Sequence, residues 1–163
     1  MKKLAHNLWF VLIIALSIFL LNPKEVVVVA AENKISEVEI IKLINLERSK
    51  NGLGEYKMNN LLVKTSNNKA SDMFKYNYWS HVSPSGKTPW IFFDEVGYKY
   101  KYAGENLAVG FNTSSAVVDA WMKSPTHKDN ILNSKYKEIG ISVRKGVLKN
   151  NNMILVVAEF GAN

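Results

Sequence analysis

The last quarter of the chain carries the pattern that most restricts its fold. Between residues 139 and 143, isoleucine and valine alternate with glycine and serine, as in a strand that buries one face. A polar stretch, 145–152, separates this segment from the unbroken apolar run Met153 to Ala158, which is typical of a central strand. The pattern predicts an antiparallel hairpin whose second strand lies inside a sheet.

Helical patterns fill most of the chain before that hairpin. Ser36 and Glu39 have the spacing of a capping box, so a helix is expected to begin there, with Val38 and Ile44 on its apolar side and Arg48 on its polar side. Turn residues and prolines place the other expected helices at 59–76, 89–96 and 115–123, with a short one from 125 onwards. The fold class is therefore α+β, with helices layered on a sheet.

The first 31 residues have the three parts of a secretory signal peptide. Lys2 and Lys3 supply the positive start, residues 8–21 form an apolar run, and residues 29–31 are the small residues of a cleavage site. The apolar run is 14 residues long, whereas a membrane-spanning helix needs about 20. We therefore predict a signal peptide at 1–31, a mature domain at 32–163 and a secreted protein. An uncleaved membrane anchor is the alternative.

Charge and cysteine content limit the partners and sites that this chain can have. The chain has 21 basic and 14 acidic residues, and 18 and 13 remain once Lys2, Lys3, Lys24 and Glu25 leave with the predicted leader. The lysines stand singly and form no basic run, which argues against a nucleic-acid surface. Cysteine is absent, so the domain has no disulfide and no thiolate ligand, and packing alone must stabilise it.

The segment 120–132 contains one of only two histidines outside the leader. Ser124 followed by Pro125 predicts a helix N-cap with proline at the first helical position. His127 then lies in the first turn of a helix, where the helix dipole favours a neutral imidazole. A neutral imidazole is the form that binds metal ions and accepts protons.

His81 and Glu105 complete the candidate chemical set. His81 lies in a turn-rich loop, 79–90, and Glu105 follows a strand that starts with alternating tyrosines at 98–102 and gives way to a turn. Two imidazoles and a carboxylate suit Zn²⁺ or a related ion and leave one coordination position open. None of the usual metal-binding spacings is present, so the alternative for each residue is an ordinary hydrogen bond to nearby backbone.

A serine hydrolase is a competing interpretation, because Ser124 and His127 are near neighbours and Glu105 could orient the ring. Two features argue against it: the Ser124 hydroxyl is expected to cap the helix, and the chain has no Gly-x-Ser-x-Gly elbow.

Several aromatic residues are candidates either for a binding groove or for the core. They are Trp79, Trp90, Trp121 and the tyrosines of 98–102.

Several motifs in order resemble the bacterial branch of the CAP superfamily, which unites cysteine-rich secretory proteins, antigen 5 and pathogenesis-related 1 proteins, and whose domain is also called SCP. The resemblance covers about residues 36–161. The motifs are Ile44-Asn45-Leu46-Glu47-Arg48, Ser80-His81-Val82-Ser83-Pro84, Gly104-Glu105-Asn106-Leu107-Ala108, Ala120-Trp121 through Ser124-Pro125-Thr126-His127-Lys128-Asp129-Asn130-Ile131-Leu132, and Glu138-Ile139-Gly140-Ile141.

The resemblance implies an α-β-α sandwich, with a small antiparallel sheet between helical layers. It also implies a surface cleft lined by two histidines and two acidic residues. By motif, His81, Glu105 and His127 are the cleft residues that this chain retains, and they are the implied metal ligands.

The fourth cleft position departs from the family pattern. Animal and plant relatives commonly have a glutamate where this chain has Ser124, whereas bacterial members often have the Ser-Pro form. Ser124 is therefore counted as a cleft residue but not as a metal ligand. Glu159 and Asp129 are the acids that could replace the missing one.

The resemblance implies a secreted binding or interaction module, with no catalytic residue assigned. The implied cofactor is a divalent metal, zinc in first place, and the implied partner is an unidentified small-molecule, lipid or cell-surface ligand. The alternatives are a metal-assisted hydrolase of extracellular peptides or cell-wall substrates, and a metal-free cluster bridged by water. We expect a monomer with no nucleic-acid partner, and membrane contact only through a retained leader.

Overall fold

The computed structural model describes residues 34–163, so the predicted signal peptide at 1–31 lies outside the described residues. Within them the elements, in chain order, are α1 (Glu37–Lys50), β1 (Lys57–Met58), α2 (Asn60–Lys75), α3 (Pro89–Val96), β2 (Tyr102–Val109), α4 (Ser114–Lys123), α5 (Pro125–Ile131), β3 (Glu138–Leu148) and β4 (Asn151–Ala162). None of these helices is long and apolar enough to span a bilayer. The helices agree with the expected ones to within a residue or two.

The four strands form one sheet in the order β1-β3-β4-β2. The long pairings β3–β4 and β2–β4 are antiparallel, while the short β1 runs parallel to β3. The hairpin is confirmed, and β4 is a central strand as predicted. Its turn is shorter than the expected stretch 145–152, because Lys149 and Asn150 both take positive φ values and close a two-residue turn.

Helices cover both faces of this sheet, which gives the α-β-α sandwich. On one face, α1, α4 and α5 pack against the even-numbered side chains of β4. On the other face, α2 and α3 pack near its odd-numbered side chains. Burial on both sides explains the continuous apolar run in β4, and Glu159 is the one charged residue inside that run's buried continuation.

Helix α1 shows where the apolar pattern misled. Ser36 caps it as expected, with its hydroxyl accepting from the Glu39 amide at 3.3 Å. Val38, however, is 73% exposed, and Arg48 is only 2% exposed. The Arg48 guanidinium is buried because it donates to the carbonyls of Gly54, Ile131 and Asn133 and so joins α1 to the end of α5.

Helix α2 sits directly on the sheet at Gly140. A Cβ atom on this glycine would lie 2.1 Å from backbone atoms of Leu62 and Val63, so a side chain cannot fit there. The contact lies in the first turn of α2, and Gly140 is paired with Glu159 of β4 in the β3–β4 register.

Candidate functional site

Glu105 lies in the middle of β2, not at a turn as its sequence context predicted. The strand starts at Tyr102, later than the tyrosine alternation suggested, and continues to Val109. Only 2% of the Glu105 side chain is exposed, and one carboxylate oxygen contacts the Nδ1 atom of His81 at 2.5 Å. Glu105 is thus a buried group that orients a histidine.

His81 reaches this carboxylate from the loop between α2 and α3. Its side chain is 54% exposed, so one ring nitrogen meets the buried acid while the rest of the ring faces outward. The loop is fixed from below by Lys69 of α2, which donates to the carbonyls of Ser80 and His81 at 2.9 and 2.6 Å. His81 is therefore held both through its ring and through its backbone.

His127 is in the first turn of α5, as predicted, with Pro125 at the start of the helix. The predicted role of Ser124 is wrong in one respect: its hydroxyl makes no capping bond and instead lies 2.9 Å from the Nδ1 atom of His127. Burial lowers the pKa of His127, and the nearby His81 lowers it further. The expected neutral imidazole is supported, with burial as the leading cause.

The outer edge of β2 is bound by side chains of the segments around α4 and α5. Three alternate carbonyls of the strand each accept one bond: Ala103 from the Tyr136 hydroxyl at 2.9 Å, Glu105 from the Asn130 amide at 3.2 Å, and Leu107 from the Trp121 indole at 3.0 Å. These bonds satisfy an edge that would otherwise be open.

Asn106 extends this link to the second histidine. Its amide donates to the His127 carbonyl at 3.0 Å, and its oxygen accepts from Asn130 at 2.8 Å. Asn106 is fully buried. Adjacent β2 residues therefore serve the two histidines, since Glu105 orients His81 and Asn106 ties down His127.

A second acid, Glu159, lies directly across the sheet from Glu105. The two residues are Cα partners in the β2–β4 pairing, and Glu159 is 0% exposed. Burial, followed by the charge of Glu105, raises the pKa of Glu159 well above the usual range of a carboxylic acid. Of the two acids that the sequence offered for the fourth position, Glu159 adjoins Glu105, whereas Asp129 is exposed on α5.

Lys69 is the residue that sequence reasoning missed. It lies in the polar middle of α2, where polar side chains share the buried face of the helix with apolar ones. The buried polar residues are Thr65, Ser66 and Lys69, and the apolar ones include Leu62 and Met73. Polar residues at the buried positions of an amphipathic helix were the available signal.

The match to a protein family decides what this arrangement belongs to. Residues 41–160 match the sequence model of CAP, the cysteine-rich secretory protein family. The chain belongs to the CAP family. Its similarity to bacterial proteins places it in the bacterial branch, as the motifs predicted.

Individual relatives agree with this membership. YkwD of Bacillus subtilis (strain 168) is 40% identical over 105 residues, which are 64% of this chain and 41% of that protein. YlbC, described as a membrane protein of the same organism, is 32% identical over 66% of this chain and 31% of its own length. This CAP chain thus spans less than half the length of the curated relatives it matches.

Solved structures show the same fold. An extracellular SCP-domain protein from Bacillus anthracis has a TM-score of 0.67 at 24% identity, over 78% of this chain and 40% of that one. An outer surface protein from Borrelia burgdorferi has a TM-score of 0.66 at 25% identity, over 80% of this chain and 97% of that one. Both cover the described CAP domain.

The serine hydrolase alternative requires an acid that orients His127, and Glu105 does not take that position in this CAP domain. Ser124 does contact His127, so the capping argument against it no longer holds. Glu105, however, contacts His81 and not His127. The set of Ser124, His127 and Glu105 is therefore not joined into a triad.

The predicted metal ligands are arranged as two histidines with separate supports. Between residues 34 and 163, no three histidine or acidic side chains form a group placed to hold a metal ion. Glu105 serves the His81 ring instead of standing beside it as a third ligand. Each imidazole uses Nδ1 for a contact to the protein, and no hydrogen bond among the described residues uses Nε2. Both rings thus keep Nε2 free of hydrogen bonds to the described residues, and metal binding itself stays a prediction.

An apolar cavity of about 250 Å³ adjoins His127. Three aromatic residues line this cavity: Trp79, Phe111 and Trp121, the last of which is otherwise buried in the core. Trp90 lies apart from it and is 40% exposed. The cavity is thus a small aromatic recess beside the histidine, and neither Trp90 nor the tyrosines of 98–102 line it.

Proposed function

We propose that this chain is a secreted CAP-domain binding module whose cleft takes a divalent cation, zinc in first place, between His81 and His127. The observation that carries the proposal is the shared use of Nδ1. Both rings spend that nitrogen on the protein, His81 on Glu105 and His127 on Ser124, which leaves Nε2 of each ring for a ligand.

Such outer contacts are typical of metal-binding histidines. A carboxylate or hydroxyl on the second ring nitrogen fixes the tautomer and the direction of the ring, and a carboxylate makes the imidazole a stronger donor. In this role Glu105 and Ser124 are orienting partners. The lowered pKa of His127 supports the same role, because a neutral ring is the binding form.

Two protein ligands would leave at least two positions of a tetrahedral ion open. A bound ion would offer these positions to oxygen or nitrogen atoms of an extracellular ligand. The small cavity beside His127 would receive an apolar part of that ligand. The ion would thus bind the polar part of the ligand and the cavity its apolar part, as in a recognition site in which the ligand fills the open coordination positions.

The test is a calorimetric Zn²⁺ titration of the purified, metal-stripped protein, beside His81→Ala and His127→Ala. Asp129→Asn is the matched control, because Asp129 is exposed on the same short helix as His127. We expect stoichiometric binding in the parent and the control, and its loss in both histidine variants. Absence of binding in the parent, or binding that survives both substitutions, would refute the proposal.

The metal-assisted hydrolase gives a different result in the same proteins. It requires turnover of peptide or cell-wall substrates that depends on zinc and disappears in His127→Ala. Such turnover would replace the binding-module proposal by the enzyme.

A further inference from the structure

Lys69 of α2 is a buried cation beneath the loop that carries His81. It is 0% exposed, although lysine is among the residues least often found in protein interiors. An ammonium group has three donors. They go to the Tyr78 hydroxyl at 3.3 Å, the Ser80 carbonyl at 2.9 Å and the His81 carbonyl at 2.6 Å. All of its donors are thus spent on the segment that leads to His81.

The surroundings of Lys69 fit a charged group held in place. Its ammonium lies 5.0 and 5.5 Å from the ring centroids of Tyr78 and Phe92. The Tyr78 hydroxyl in turn donates to Asp72 at 2.6 Å, one helical turn from Lys69 on α2. Lysine, tyrosine and aspartate therefore form a chain that ties the start of the loop to the helix beneath it.

Two buried carboxyl groups, those of Glu105 and Glu159, lie near this lysine. Burial lowers the pKa of Lys69, and the nearby carboxylate of Glu105 offsets part of that effect. Three carboxyl oxygens, one of Glu105 and both of Glu159, are buried with no hydrogen-bond partner among the described residues. Lys69 is the buried lysine of α2 near this pair, whereas Lys64 and Lys75 are exposed.

We infer that Lys69 is the positioning residue of the site, which sets the place of the His81 backbone and, through it, the contact between His81 Nδ1 and Glu105. The lysine touches neither a free ring nitrogen nor an outside ligand. It acts through the loop: two of its bonds hold successive carbonyls, one of them that of His81 itself, whose ring contacts Glu105.

Lys87 provides a natural comparison in the same layer. It also lies over the Phe92 ring, at 3.9 Å, but its ammonium pairs with Glu95 at 2.7 Å and touches no carbonyl near His81. A general effect of losing a cation in this layer would appear in Lys87→Met. Loss of positioning would appear only at Lys69.

The test follows the Nδ1–H proton of His81 by NMR in the metal-free protein, because a proton held against a buried carboxylate exchanges slowly and resonates far downfield. Lys69→Met keeps an unbranched side chain, one atom shorter, without charge or donors. Lys69→Gln keeps two donors without the charge, and Lys69→Arg keeps both charge and donors. We expect the resonance to be lost in Lys69→Met, weakened in Lys69→Gln, and retained in Lys69→Arg and Lys87→Met.

A second readout rests on the proposed function. Loss of a group that orients a ligand typically lowers metal affinity 10- to 100-fold, so we expect a weakening of about that size for Zn²⁺ in Lys69→Met. The NMR measurement needs no metal, so it tests the positioning role of Lys69 even if the parent binds no zinc.

Two outcomes would overturn the inference. One is an unchanged His81 resonance in a folded Lys69→Met or Lys69→Gln protein. The other is failure of both neutral variants to fold, which would assign Lys69 to stability alone. Circular dichroism and thermal melting of each variant distinguish these outcomes.

Discussion

Glu105 and Glu159 face each other across β2 and β4, and three of their four carboxyl oxygens have no hydrogen-bond partner within residues 34–163. Two like charges directly opposite in a sheet destabilise it, and burial makes the repulsion stronger. Burial and the neighbouring Glu105 raise the pKa of Glu159, and a proton held on Glu159 relieves this repulsion.

Glu159→Gln should remove a loss of stability that grows with pH. Between the unfolded pKa, near 4.5, and the raised native pKa, the folded state holds a proton that the unfolded state has released. The free energy of unfolding of the parent therefore falls as pH rises, by up to about 1.4 kcal/mol per pH unit for this group. Glutamine cannot ionise, so the variant should gain stability relative to the parent as the pH rises above 4.5.

Urea unfolding at several pH values measures this difference. Glu47→Gln is the control, because Glu47 makes an exposed ion pair with Lys50 on α1. Parallel pH profiles for the parent and Glu159→Gln would contradict the prediction.

Gly140→Ala should destabilise the domain by about 3 kcal/mol, at the upper end for overpacking. The added Cβ would meet backbone atoms of Leu62 and Val63 at 2.1 Å, and a helix backbone cannot turn aside as a side chain can. The shift in the urea midpoint measures the effect. Gly54→Ala, which adds a Cβ with nothing within 4 Å, should leave that midpoint nearly unchanged.

Asn106→Ala should weaken the site and the fold together. It removes the donor to the His127 carbonyl and leaves the Asn130 amide without one of its acceptors, in a position that is fully buried. Unpaired buried groups of this kind cost about 1–3 kcal/mol. Thermal melting and zinc titration should both respond, whereas Asn68→Ala, at a half-buried position on α2, should change neither. A melting loss without any change in zinc affinity would show that Asn106 does not place His127.

The helices could be predicted because their signals are local. The bounds of α3 match the prediction at both ends, since Pro89 starts it and Gly97, with a positive φ, ends it. Motifs likewise identified His81, Glu105 and His127, which the fold brings to one region. Such signals lie within a few residues of each other in the chain, so they can be recognised without the tertiary fold.

The partners of the site residues could not be predicted in this way. Glu105 contacts His81, which lies 24 positions away in the chain, and it pairs with Glu159 of another strand. Contacts between residues so far apart cannot be inferred from local sequence spacing. Lysine is seldom buried, so the sequence of α2 alone does not single out Lys69. Its bonds to the Ser80 and His81 carbonyls depend on the path of the loop that follows the helix, which the tertiary fold sets.

Ser124→Ala separates two roles that the sequence could not. A hydroxyl that caps a helix contributes about 1 kcal/mol, and Thr113 does so for α4, where its oxygen accepts from the Ala116 amide at 3.2 Å. Ser124 makes no such bond and contacts His127 instead. We therefore expect Thr113→Ala to lower the free energy of unfolding by about 1 kcal/mol and Ser124→Ala to lower it by much less. The His127 ring nitrogens should respond in the opposite order, with their NMR shifts changed by Ser124→Ala and not by Thr113→Ala. Equal losses of stability in the two variants would restore Ser124 as a cap and leave His127 without a partner on Nδ1.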